Sequence, residues 1–300
     1  MLYWQGLPKE GIHTSMWIIY TLLTAFLLAS SDAITKDLLT RYSPWQVIRA
    51  RFLLALVFLV PLPFIYGFPT LDTTFWLAAG ADLPLEILAL LLYLKAIDVS
   101  PLSLSLPFLS FTPLFLLLTS RIMLGEHVST QALIGILAMV AGSYLLQVGR
   151  VREGLVEPIK ALIRERGAML MLGVAFIYSI TSNLGKVAIT HSSPQFFATF
   201  FALEMALVAL VIPYHKGGKK VWKLKDKAMI LMALFFALHF LFHTLALNLA
   251  RVSYMIPLKR TSILFGVLYG RILYKEEEIK ERLLGASLMV AGALLISLAP

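Results

Sequence analysis

The sequence predicts an all-α integral membrane protein whose ten transmembrane helices form two inverted five-helix repeats. Hydrophobic residues make up 59% of the 300-residue chain, charged residues only 14%, and the mean hydropathy is +0.83. Its apolar runs reach the roughly 20 residues that a helical membrane span needs. The second half of the chain also repeats the first half without a gap. Together these observations indicate a polytopic membrane protein built from two copies of one unit.

The repeat is clearest where each half ends. GEHVSTQALIGILAMVAGSYLL at 125–146 aligns with KEEEIKERLLGASLMVAGALLI at 275–296, a shift of 150 residues. The same shift pairs residues in other parts of the two halves: Lys36 with Lys186, Ser43 with Ser193, Pro107 with Pro257, and Arg121 with Arg271. An ungapped match of this length is poorly explained by apolar composition alone.

The apolar runs divide into five spans in each half. They lie near 16–39, 45–66, 73–97, 101–123 and 129–148, and near 168–190, 194–214, 227–249, 252–274 and 278–298. We read them as helices, because unpaired strands cannot cross lipid and the runs are too long for the strands of a barrel. Five is an odd number, so the second copy enters the membrane in the opposite sense. Inverted repeats of this kind form a site near the midplane that opens to either side.

Three segments follow from this division. Residues 1–148 form the first repeat, 149–167 form a linker, and 168–300 form the second repeat. The linker places Leu155, Ile159 and Leu162 on one helical face, which fits either a short amphipathic helix on the membrane surface or a solvated connection.

The ionic composition limits the partners and the energy source. Lysine and arginine outnumber aspartate and glutamate by 26 to 17, so the net charge is +9. We attribute this excess to loops facing an anionic leaflet, because no basic, aromatic-rich soluble region indicates nucleic-acid binding. The sequence has no cysteine and no Gly-x-x-x-x-Gly-Lys-Ser/Thr nucleotide loop. We therefore expect no disulfide, no ATP-driven step and no cofactor.

At this point the chain resembles the EamA family of the drug/metabolite transporter superfamily. The resemblance covers both halves and is carried by a few residues: Lys36, Pro44 and Arg51, then Pro107, Gly125, Glu126, Gly135 and Gly142, the last group being matched again 150 residues later. It implies a ten-helix secondary transporter, in many relatives an exporter of amino acids or related metabolites. The second copy departs from the pattern with Phe201 in place of Arg51 and Lys275 in place of Gly125.

The third span carries the first candidate binding residues. Asp82 and Glu86 lie four residues apart and so on one helix face, which continues to Tyr93. Pro84 lies between the two carboxylates and frees a backbone carbonyl there. Ionisable residues inside spans are costly in hydrocarbon and mark a cavity or a partner. Glu86 is also our candidate carrier of a coupling proton, because burial favours the neutral form of a carboxyl group.

The eighth span has two histidines on the equivalent face. His239 and His243 are four residues apart, and we expect the eighth span to line the same cavity as the third. They fit a polar lining for the substrate. A metal site with Asp82 or Glu86 as third ligand is the alternative, although the chain has no His-Glu-x-x-His pattern.

Charged residues in the first, seventh and ninth spans complete the set. Asp32 lies four residues before Lys36 and is a further substrate-binding candidate. Lys259 and Arg260 lie about 10 Å into the ninth span at 1.5 Å per residue, too deep for both to reach the interface. We expect one of these cations to line the cavity and the other to meet Glu204, Asp32 or the interface.

These residues predict a transporter for small amphipathic metabolites such as amino acids, rather than an enzyme. Asp82 and Glu86 suit an ammonium group, and Lys259 or Arg260 suits a carboxylate. Alternating access between the two repeats would carry the substrate across, in the export direction by family resemblance. Two alternatives stay open, a flippase for a lipid-linked carrier and a metal-dependent intramembrane enzyme or metal transporter.

Glycines indicate where helices approach one another closely. Pairs seven or four residues apart keep to one helix face in three spans: Gly135 with Gly142, Gly285 with Gly292, and Gly266 with Gly270. Such faces let backbones come close together. We expect them either inside the bundle or at the face of a homodimer.

The loop charges predict how the chain is oriented in the cell inner membrane. The gaps between spans 5 and 6, 7 and 8, and 9 and 10 lie on one side and hold fifteen lysines and arginines (five, six and four). The other side, which includes both termini, has few. Cytoplasmic loops carry the excess of basic residues, so both termini are predicted to be extracytoplasmic. Relatives in the family usually keep both termini inside.

Overall fold

The computed structural model describes residues 13–100, 106–148, 166–211, 226–274 and 283–299. The described residues of the first half form one short 3₁₀ helix and six α-helices: α1 (His13–Arg41), α2 (Pro44–Leu59), α3 (Pro61–Tyr66), α4 (Thr73–Val99), the 3₁₀ helix (Leu106–Phe111), α5 (Thr112–Leu124) and α6 (Thr130–Val148). Most of the predicted linker, 149–165, lies outside the described residues, so its two interpretations remain predictions.

The second half repeats this order. Its helices are α7 (Arg166–Thr190), α8 (Pro194–Val211), α9 (Lys227–Leu249), α10 (Val252–Lys259), α11 (Ser262–Tyr274) and α12 (Leu283–Ser297). Six of the described helical segments are long and apolar enough to cross a membrane on their own, and three shorter apolar ones begin at Phe108, Thr130 and Leu284. The predicted all-helical membrane fold with ten spans in two repeats is confirmed.

Helix packing follows the repeat. Helix α1 packs against α9 and α11, and its counterpart α7 packs against α4 and α5. The fifth-span helix α6 packs against its own counterpart α12, and α2 packs against its counterpart α8. This pairing brings α1, α4, α7 and α9 together, so charged residues from both repeats meet between them.

The fourth and ninth spans are interrupted at equivalent positions, which corrects the expectation of unbroken helices at 101–123 and 252–274. In the first half the 3₁₀ helix gives way to α5 at Thr112, and in the second half α10 ends at Lys259 and α11 begins at Ser262. A proline precedes each break, Pro107 or Pro257, and proline cannot donate a backbone hydrogen bond. Discontinuous helices at the repeat interface are typical of transporter binding sites.

Glycines set the close crossing of α6 and α12. A Cβ atom on Gly135 would lie 2.8 Å from the carbonyl oxygen of Gly292, and one on Gly142 would lie 2.5 Å from that of Gly285. Both distances are far below a normal contact. These glycines therefore serve packing inside the bundle, while Gly266 on α11 has open space where its Cβ would be.

The two faces of the bundle differ in the contacts that close them. We call the face where α1 begins and α12 ends the terminal face, and the other the opposite face. At the terminal face the His191 ring lies 2.7 Å from the Asp72 carboxylate, whose pKa is lowered by the Phe75 amide hydrogen bond and by His191. At the opposite face Asp226 begins α9 and binds Tyr42, at the turn between α1 and α2.

Candidate functional site

Glu86 lies among residues of both repeats. Thr181 of α7 and Lys259 at the end of α10 both lie within electrostatic reach of the Glu86 side chain. Helix α4 runs unbroken past Pro84, so Asp82, Glu86 and Tyr93 keep the helical spacing expected from sequence. The first repeat therefore supplies the carboxylate, and the second supplies a hydroxyl group and a cation near it.

Asp82 is the most deeply buried acidic residue of this group. It is 3% exposed, and its Oδ1 atom has no hydrogen-bond partner among the described residues. The charged groups that interact with it are two further carboxylates, Glu86 and Glu204. A buried carboxyl group without a cation is costly to ionise. Asp82 is therefore suited to receive either a cationic group or a proton.

Asp32 and Arg51 form an ion pair between α1 and α2. The Arg51 Nη2 atom lies 3.1 Å from Oδ1 of Asp32 and 2.7 Å from Oγ1 of Thr35. The guanidinium group also stands over the Phe236 ring of α9, 5.1 Å from its centroid. The Asp32 side chain is 55% exposed although it lies well inside the first span, which leaves it open to a polar ligand.

Two tyrosines connect the ion pair to Glu86. Tyr93 of α4 lies within electrostatic reach of Asp32 and Arg51. Tyr178 of α7 lies within reach of Tyr93, Glu86 and, from the ninth span, Arg260. Polar groups from both repeats thus lie near one another at this junction.

The histidines of α9 lie beside these polar groups. The His239 Nδ1 atom is 2.9 Å from the carbonyl oxygen of Thr24, and the His239 and His243 rings stack with centroids 6.0 Å apart. Both rings lie within electrostatic reach of Lys259. Among the described residues, no group of three histidine, cysteine, aspartate or glutamate side chains is arranged to hold a metal ion.

Lys259 and Arg260 have different surroundings. The Arg260 Nη2 atom donates to the carbonyl oxygen of Leu109 at 2.9 Å and to Oγ1 of Thr112 at 3.0 Å. Arg260, at the break of the ninth span, therefore binds residues at the break of the fourth span. Lys259 is the cation within electrostatic reach of Glu86. The predicted contact of the second cation with Glu204, Asp32 or the interface is wrong for Arg260, which joins the two interrupted helices instead.

Each of the eight predicted residues lies within electrostatic reach of at least one other of them, Asp82 through Glu86. Sequence reasoning missed three members of the group as site residues: Arg51, Tyr178 and Thr181. Arg51 is a cation inside the second span, which was a usable signal. Tyr178 and Thr181 carried none, because hydroxyl side chains are common in membrane helices.

The arrangement defines a class of protein. Ionisable groups of both signs lie inside a ten-helix membrane bundle, at the junction of two repeats and beside two interrupted helices, an arrangement typical of membrane transporters. The family model described as the EamA-like transporter family matches residues 15–148 and again 165–298. The chain belongs to this family, and the family is one of membrane transporters.

One solved structure agrees with this fold over nearly the whole chain. It is described as "Crystal structure of protein", has 16% sequence identity and a TM-score of 0.71, and the match covers 97% of this chain and 99% of that one. At this identity the likeness shows the fold alone. A comparison with curated proteins finds no significant match.

Proposed function

We propose that the protein is a secondary transporter that exports small metabolites carrying both an ammonium and a carboxylate group, most simply amino acids. The observation that supports the proposal is the nearness of oppositely charged groups from the two repeats, Glu86 and Lys259, beside Asp82, whose Oδ1 atom has no hydrogen-bond partner among the described residues. Asp82 and Glu86 would hold the ammonium group. Lys259 would hold the carboxylate, because Arg260 is already bound to Leu109 and Thr112.

Transport would proceed by rocking of one repeat against the other around this site. The contact between the two interrupted spans would change during this motion, because Arg260 joins the break of one span to the break of the other. We assign the coupling proton to Glu86, whose partners Thr181 and Lys259 come from the second repeat and would part from it as the repeats move. The protein would lie in the cell inner membrane with the opposite face in the cytoplasm, as the loop charges predict.

The alternatives gain no support. Neither the family match nor the described histidines and carboxylates favour a metal-dependent enzyme or metal transporter. No comparison points to a flippase. The glycines of α6 and α12 pack against each other within one chain, so they do not support a homodimer. The face of α11 around Gly266 is the part of the proposed homodimer interface that remains.

The test uses purified protein and defined ligands. A thermal-shift screen of the common amino acids should find one that raises the melting temperature, since a ligand that binds only the folded state stabilises it. The amide and the decarboxylated amine of that amino acid should each give a smaller shift. An equal shift with all three compounds would contradict recognition of both charges.

Transport is then measured with that amino acid in proteoliposomes. Glu86→Gln should abolish flux while the protein still elutes as a single species, because the amide neither carries a proton nor pairs with an ammonium group. Glu204→Gln, at the edge of the same acidic group, is the matched comparison and should reduce flux less. Unchanged flux in Glu86→Gln would exclude both proposed roles of that residue.

A further inference from the structure

Lys186 of α7 binds the end of another helix at the terminal face. Its Nζ atom lies 2.5, 3.0 and 3.1 Å from the carbonyl oxygens of Leu247, Asn248 and Ala250. These are carbonyls at the C-terminal end of α9, which lack partners within the helix. A cation there also interacts favourably with the helix dipole. The lysine therefore holds the end of α9 against α7.

Glu126 binds the helix that follows. Its Oε1 atom accepts from the Val252 amide at 2.7 Å, and its Oε2 atom accepts from the Ser253 amide at 3.0 Å and the Ser253 hydroxyl at 2.6 Å. The carboxylate, 6% exposed, thus caps the first turn of α10. Gly125 makes this placement feasible, because it ends α5 with φ of +68°, a conformation that favours glycine.

Lys186 and Glu126 bind the two helices on either side of one short connection. Ala250 and Arg251 link α9 to α10, and α10 carries Lys259 at its other end. Lys186 holds the helix before this connection, and Glu126 holds the helix after it. Glu126 belongs to the first repeat while α9 and α10 belong to the second, so the contact ties the repeats together at the terminal face.

The two repeats do not adopt equivalent arrangements. Helix α9 packs against α2, whereas the equivalent helices α4 and α8 are separated by a groove of about 430 Å³. The groove is lined by Leu83, Ile87, Glu204, Leu207, Val208 and Val211. In inverted repeats this inequality means that the two faces differ in how far they are closed.

We propose that Glu126 and Lys186 are positioning residues whose hydrogen bonds hold the terminal face closed and break when the transporter changes conformation. We call these two residues the latch. This inference rests on the proposed transport function and assigns it a gate.

The test follows the accessibility of one cysteine placed between the latch and the site. Ser182 of α7 lies one turn from Lys186, aligns with Asp32 of the first repeat, and donates only to the Tyr178 carbonyl of its own helix. Because the chain has no cysteine, Ser182→Cys provides a single reporter. Intact cells and inverted vesicles present one face each to a membrane-impermeant maleimide, and a second protein with Thr70→Cys identifies the terminal face.

Reagent supplied at the terminal face should label Ser182→Cys slowly. Adding Lys186→Met should raise that rate about tenfold or more, as expected for loss of charge-assisted hydrogen bonds. Glu126→Gln should act in the same direction, and Lys186→Arg should restore slow labelling. Lys36→Met should not raise labelling from the terminal face, because Lys36 lies near the end of α1 at the opposite face.

Two results would overturn the latch. One is an unchanged labelling rate in both Lys186→Met and Glu126→Gln. The other is an equal increase in Lys36→Met, which would indicate general loosening of the bundle. Size-exclusion profiles identify any variant that fails to fold. The labelling rate of the other latch variant then tests the proposal. The labelling needs no substrate, so a missing amino-acid flux in the unmodified protein would refute the proposed substrate while leaving the latch intact.

Discussion

At the scale of single residues, the adjacent cations Lys259 and Arg260 have separate tasks. Consecutive residues point in different directions even at the irregular end of α10, and their partners differ accordingly. Lys259 lies within electrostatic reach of the Glu86 carboxylate, while Arg260 donates to a backbone carbonyl and a hydroxyl of the first repeat. Lys259 can therefore exchange its neighbouring carboxylate for a substrate, whereas Arg260 connects the two interrupted helices.

Substitution of each cation should separate binding from stability. Lys259→Met should weaken binding of the amino acid about tenfold or more, and should weaken its amide less, because the carboxylate loses its partner. Arg260→Met should lower the free energy of unfolding by about 1.5–3 kcal/mol, because the Leu109 carbonyl and the Thr112 hydroxyl lose a charged donor. Thermal unfolding with and without ligand measures both. Equal weakening of acid and amide by Lys259→Met would assign that lysine a structural role instead.

The pair Asp32–Arg51 illustrates what spacing cannot reveal. Asp32 is four residues from Lys36, a distance that suggests a pair within one helix. The structure shows Arg51 of the next helix at 3.1 Å, held also by Thr35 and by the Phe236 ring. Those contacts depend on how α1, α2 and α9 pack, which no local pattern reports.

At the scale of helices, the crossing of α6 and α12 determines how closely the repeats meet. Gly142→Leu should destabilise the protein by about 1–3 kcal/mol, because the added side chain meets the Gly285 carbonyl and Met289. Gly266→Ala is the matched control on α11, where nothing lies near the added Cβ, and it should be neutral or slightly stabilising. Melting temperatures in one detergent compare the two. A neutral Gly142→Leu would contradict the close crossing.

The start of α9 provides a pH-dependent contribution to stability. Partial burial would raise the pKa of Asp226, but hydrogen bonds from the Tyr42 hydroxyl at 2.9 Å and the Ala228 amide at 3.0 Å, with the Arg41 charge, hold it below its usual value of 3.8. A lowered folded-state pKa gives stability that is complete above the unfolded value and is lost as the pH falls through the folded one.

Asp226→Asn isolates this charge, since asparagine is also a good N-cap. The variant should be about 1–2 kcal/mol less stable at neutral pH, because hydrogen bonds to a charged acceptor are replaced by weaker ones. The difference between the two proteins should shrink below about pH 4. Melting curves from neutral pH downward test this, and a difference independent of pH would show that the carboxylate charge contributes nothing.

The helices show which features were predictable. Apolar runs and the constant 150-residue shift indicated ten spans in two repeats because span length and repeat period are properties of the sequence itself. The breaks before Thr112 and Ser262 were missed, since the segments around them are as apolar as the rest of their spans. Tyr178 and Thr181 likewise join the site only through the packing of α7 on α4.

At the scale of the whole molecule, the unequal repeats link conformation to orientation. The terminal face is held by Glu126, by Lys186 and by Asp72 with His191, while α4 and α8 are parted by a groove. Under the proposed orientation the terminal face is extracytoplasmic. With the proposed latch at that face, we expect this conformation to be the one closed to the outside.

Orientation is the remaining prediction, and it sets the side of the membrane to which this conformation is closed. Fifteen lysines and arginines in three loops on one side argue for a cytoplasmic opposite face, against the usual arrangement of the family. Because the chain has no cysteine, Thr70→Cys at the exposed terminal face and, separately, Gly217→Cys in the basic loop can be labelled in intact cells with an impermeant maleimide. Thr70→Cys should react and Gly217→Cys should react only after the membrane is permeabilised. The reverse pattern would place both termini in the cytoplasm, and we would then expect the same conformation to be closed to the cytoplasm.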